Sequence, residues 1–188
     1  MLLLEIVYLI AVYKYVIADG ITDDGYILNF DSPIYVCSDE DSQKFIDTSR
    51  VEVKRHNETT TYMTGSIEFH KGIQTATMLE VVIEKDIGGS FEMFASHEIC
   101  DLCKEIQDME SPYAEYLKCF GFPEKCPFPP NTFAIQDFVP YTKDLPINSA
   151  TAGRYQVTMN IYNNPESNCL NEKIFIACLK LDFIIEPL

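Results

Sequence analysis

Histidine is scarce in this chain: there are three, His56, His70 and His97, and they are scattered. None stands beside a nucleophile elbow, a metalloprotease helix pattern or a phosphate-cradling glycine loop. That lack points away from an enzyme, so neither a catalytic residue nor a cofactor is expected. Positive charge is short as well, with 14 Lys and Arg against 29 Asp and Glu and a formal net charge of −15. Nucleic-acid binding and electrostatic adhesion to anionic lipid both need a basic footprint, and both are disfavoured. A second close cysteine pair is also missing. Cys100-Asp-Leu-Cys103 would suit a redox pair or half of a zinc ribbon, but Cys119 and Cys126 are separated by six residues and no histidine pair is near. No metal site is expected.

No internal repeat is visible, and no long apolar stretch follows the first one. That first stretch runs from Leu2 to Ile17, interrupted by Glu5 and Lys14, and ends Val16-Ile17-Ala18. Compact residues at its last and third-last positions fit cleavage after Ala18, and its uncharged core is too short to span a bilayer comfortably. Residues 1–18 are expected to be a signal peptide and 19–188 one soluble, secreted domain, with the lysosomal lumen as the alternative location. All seven cysteines (37, 100, 103, 119, 126, 169, 178) fall in that domain and read as a disulfide framework with one left over. The sequon Asn57-Glu58-Thr59 lies in a turn-forming stretch and is a candidate glycan acceptor.

What the chain has is alternation. Residues 153–161 and 174–185 alternate large apolar with polar side chains at a period of two, as do 77–87 and 59–69. Residues 45–54 and 59–69 read as a hairpin around His56-Asn57-Glu58, and Gly88-Gly89 turns the chain into Phe91-Glu92-Met93-Phe94. One helix is expected, capped by Ser96, with Ile99, Leu102, Cys103, Ile106 and Met109 on one face and Ser111-Pro112 ending it. Residues 113–122 read as either a second short helix or a loop. Short strands with turn punctuation indicate a mainly β, two-sheet antiparallel sandwich or cup. The alternation sends Met63, Ile67, Phe69, Leu79, Val81, Ile83, Phe91, Met93, Tyr155, Val157, Met159, Leu179, Leu181 and Phe183 inward, with Lys180 and Asp182 outward. These side chains suit ordinary core packing, or sheets splayed around a lipid with adaptable Met and aromatic walls. Residues 137–152 are apolar but irregular, broken by Pro140 and Pro146. Phe138, Val139, Leu145 and Ile147 there are either an internal plug or a lid over a greasy opening.

Several short stretches in order carry a resemblance. They are Leu79-Glu80-Val81-Val82-Ile83-Glu84-Lys85-Asp86-Ile87-Gly88-Gly89, Cys126-Pro127-Phe128 with Thr132-Phe133, Asp144-Leu145-Pro146, Gly153-Arg154-Tyr155 and Cys178-Leu179-Lys180-Leu181. In these the chain resembles the ganglioside-activator branch of the ML lipid-recognition superfamily, and is similar to the secreted insect CheB group of chemosensory organs. The resemblance implies a β-cup around an apolar cavity that holds lipid without transforming it, and it favours the lid. It also implies the bridges Cys37–Cys178 and Cys100–Cys126. The family's usual partner for Cys119 is missing here, so Cys103 is its expected substitute and Cys169 is left over. The partners that follow are a lipid or other hydrophobic small molecule, transient membrane contact during lipid exchange, and a receptor, channel or enzyme. A non-enzymatic lipid carrier is the first expectation, and an extracellular chemosensory modulator is the alternative.

Overall fold

The computed structural model describes residues 25–108, 110–111, 118–123, 125–139, 147–165, 169–170 and 172–188. The expected leader, Met109 and Leu145 lie outside the described residues. Among the described residues ten strands form two antiparallel sheets, accompanied by the two short helices described below. The larger sheet has the order β1 (Tyr26–Phe30), β10 (Ile174–Pro187), β9 (Gly153–Asn163), β6 (Thr77–Ile87) and β7 (Ser90–Ile99), with the short β2 (Tyr35–Val36) also on β10. In the smaller sheet β5 (Thr61–Phe69) is central; it pairs with β8 (Asn131–Phe138), β4 (Glu52–Arg55) and β3 (Ile46–Asp47). The fold is the expected mainly β sandwich or cup.

The core lies between the sheets. Met63, Ile67 and Phe69 of β5 and Phe133, Ile135 and Phe138 of β8 meet Phe30, Ile161, Ala177 and Leu179 of the larger sheet, all buried. Phe69 is the hub, with edge-on ring contacts to Phe45, Phe122, Phe128 and Phe133. Such pairs add about 0.5–1.5 kcal/mol each beyond area burial. Gly65 interrupts β5 at φ +115°, where an added Cβ would come 2.0 Å from the Arg50 carbonyl oxygen, so only glycine fits this close approach.

Two elements differ from the sequence expectation. A helix unforeseen in the sequence, α1 (Glu40–Phe45), follows β2. The Asp39 carboxylate caps it by accepting from Ser42 N at 2.8 Å, and Phe45 anchors it in the core. The expected helix is also shorter at its start. Ser96 to Ile99 belong to β7, because each continues the ladder with β6. α2 spans Leu102–Gln107, and Asp101 caps it instead of Ser96, accepting from Lys104 N at 3.0 Å. Its buried face is Leu102, Cys103 and Ile106.

Three disulfides tie these parts together: Cys37–Cys178, Cys100–Cys169 and Cys103–Cys126. The first was expected. The other two replace Cys100–Cys126 and Cys103–Cys119, and Cys119 takes no part in the three bridges. Cys100, the residue after β7, reaches the β9–β10 connection, while Cys103, on α2, meets the Pro-rich turn ahead of β8. Closing a loop of either kind contributes about 2–4 kcal/mol. Among the described residues no helix is long and apolar enough to cross a membrane.

Candidate functional site

In an antiparallel ladder, residues directly opposite each other share a face. The register therefore assembles the inner face of the larger sheet row by row. Leu79, Ile161 and Ala177 form one row, then Val81, Met159, Leu179 and Val36, then Ile83, Val157 and Leu181. Lys85, Tyr155, Phe183 and Phe30 form the next. Lys180 and Asp182 share the opposite face with Thr158 and Gln156, in line with the alternation of β10.

Burial divides this inner face. Toward β10 the smaller sheet covers it, and Ala177 and Leu179 are buried. Toward β6 it opens, and Leu79, Val81 and Ile83 are half-buried, as are Val157 and Met159 of β9 and Leu181 and Phe183 farther along β10. A second, smaller cluster closes the far end of the strands: Leu28, Ile147, Tyr155 and Ile185, with Tyr26, Ile83 and Phe183 packed against it. Tyr155 and Phe183 stack there with centroids 5.0 Å apart, and Phe94 meets the Tyr155 ring edge-on at 5.6 Å. These half-buried rows form an apolar strip on the larger sheet, called the trough below, bordered by the exposed strand β7.

Twelve of the fourteen side chains expected inside lie on inner-face rows or in the inter-sheet core: Met63, Ile67, Phe69, Leu79, Val81, Ile83, Tyr155, Val157, Met159, Leu179, Leu181 and Phe183. Phe91 and Met93 do not, which is a correction. The register of β7 shifts between Ile83 and Glu84, so Phe94 is an extra residue with no partner of its own. A bulge moves everything beyond it to the other face. Met93 then lies opposite Glu84 and Phe91 opposite Asp86, on the outer face, 71% and 44% exposed. No glycine marks the bulge, and simple alternation could not reveal it.

The irregular segment divides as well. Phe138 belongs to the inter-sheet core, in ring contact with Phe30 and Phe120. Val139 is 39% exposed, and Ile147 is a member of the smaller cluster. A cavity of about 480 Å³ lies at the opposite end of the strands from Tyr155, lined by Phe45, Lys71, Thr77, Asn163 and Phe175 among others.

The outer face carries a paired polar network, beside which the buried Thr158 Oγ1 has no hydrogen-bond partner among the described residues. Lys173 bridges Glu80 and Glu98 at 3.2 and 2.8 Å, and Asn160 and Tyr162 also donate to Glu80. Burial works against the Glu80 charge, but these hydrogen bonds outweigh it and hold its carboxyl below the usual range. Tyr35 is pushed up to about 12 by burial and by the Asp182 carboxylate that accepts from its hydroxyl. Among the described residues no group of three or more His, Cys, Asp or Glu could hold a metal ion. Asn57 sits on the exposed turn between β4 and β5, its side chain accepting from Thr59 N, Thr59 Oγ1 and Thr60 N. The chain matches no protein-family model and no curated protein.

Proposed function

We propose that this protein is a non-enzymatic carrier that holds a lipid acyl chain in the trough on the inner face of its larger sheet. The observation that carries the proposal is the run of aligned apolar rows left half-buried along β6 and β9. Burial supplies the affinity, since each CH₂ removed from water contributes about 0.8 kcal/mol. Three disulfides fit an oxidising, extracellular setting, where a hydrophobic molecule needs such shielding. There Asn57, on its exposed turn, would carry a glycan. Val139 and Ile147 flank the segment that would meet a membrane during exchange.

The test is native mass spectrometry of protein purified without detergent, comparing wild type with Val81→Asp and Val157→Asp. Wild type should carry lipid-sized adducts that both variants lose while keeping a cooperative melt. Unliganded wild type that also takes up no lipid from vesicles would refute the proposal.

A further inference from the structure

We infer that the lipid is a single-chain anionic amphiphile and that Lys85 holds its head group at the rim of the trough; this rests on the carrier function proposed above. Lys85 ends the last apolar row, beside Tyr155 and Phe183, on a face whose neighbouring rows on β6, β9 and β10 carry no charge. Its partner across the ladder is Glu92 of β7. A cross-strand Lys and Glu ordinarily pair, yet here the ammonium turns the other way. It lies 5.5 Å from the centroid of the Tyr155 ring and 3.4 Å from the Ala150 carbonyl oxygen, a long hydrogen bond. Gly153 makes that path available: a Cβ there would come 3.0 Å from Lys85 Cε, so the stem crosses bare backbone.

Among the described residues no carboxylate lies within ion-pair distance of Lys85, a condition it shares with Lys71 and Lys180; what sets Lys85 apart is its place at the end of the apolar rows, over the Tyr155 ring. In a chain with twice as many acids as bases, a cation kept from carboxylates at the end of an apolar trough is matched by a ligand's anion. The rows from Lys85 back to Leu79 span roughly 20 Å at about 3.3 Å per residue, room for an extended acyl chain. The head group would then sit at the ammonium and the tail would run toward Leu79. A neutral lipid of equal length would lose the charge-assisted hydrogen bonds.

Calorimetry with laurate and with 1-dodecanol, on wild type, Lys85→Met and Lys85→Arg, tests this. Methionine keeps most of the stem and removes the charge. Wild type should prefer laurate, Lys85→Met should weaken laurate about tenfold while leaving dodecanol within about twofold, and Lys85→Arg should restore most of the loss. Equal affinity of wild type for the two ligands, or equal loss of both in Lys85→Met, would overturn the head-group assignment and leave the carrier function standing. If neither ligand binds wild type, the carrier function fails and the assignment falls with it.

Discussion

At the scale of single residues, the structure depends on a few polar atoms placed where backbone groups need them. Ser42 is fully buried, its Oγ accepting from Cys178 N at 2.8 Å and donating to the Asp39 carboxylate at 2.7 Å. One hydroxyl thus joins the cap of α1 to the last strand, beside the Cys37–Cys178 bridge. Ser42→Ala leaves a buried N–H without its acceptor, which costs about 1–3 kcal/mol. The expected result is a lower melting temperature with the far-ultraviolet spectrum of the folded state unchanged; an unshifted melt would show that Cys178 N finds another partner. Ser42 was not legible in advance, because a serine in a polar run between two strands carries no burial signal. Lys180 and Asp182 were legible, since charge alternating with Leu179, Leu181 and Phe183 admits one orientation in a half-buried strand.

At the scale of elements, alternation located the long strands well and failed where an element breaks its own period. β9 keeps strict alternation beside β6, and β10 does so from Ala177 onward, past a bulge at Ile176, so the inner faces there could be named from spacing alone. β7 does not, because the extra Phe94 inverts Phe91 and Met93, and no proline or glycine announces it. α1, at six residues, is too short for a 3.6-residue period to show. Six bridged cysteines likewise permit many pairings, and spacing alone could not choose Cys100–Cys169. In β5 the decisive element feature is Gly65, held at positive φ against the Arg50 carbonyl. Gly65→Ala should destabilise by more than about 1 kcal/mol, because backbone on both sides must shift. Gly88→Ala, at a turn with open space around its Cα, is the comparison, strained by its φ but free of any clash. Equal losses in chemical denaturation would show that the close approach at Gly65 does not matter.

At the scale of the whole molecule, two sheets are joined by an aromatic core that covers part of the larger sheet's inner face and leaves other rows half-buried. The phenylalanine cluster around Phe69 closes the side near β10, and the group around Tyr155 and Ile147 closes one end. Between them Val81 and Val157, which belong to neither cluster, stay half-buried, as do Ile83 and Leu181 at the cluster edges. The central claim is that an acyl chain lies against those half-buried rows. Methyl NMR with 16-doxyl-stearate tests it most directly, because the nitroxide broadens the methyl signals close to the bound tail. The expected result is saturable broadening of Leu79, Val81, Val157 and Leu181, with Ile46 and Ile73, sealed in the aromatic core, unaffected. Broadening confined to the exposed Ile87 and Ile174, or none at saturating ligand, would contradict it.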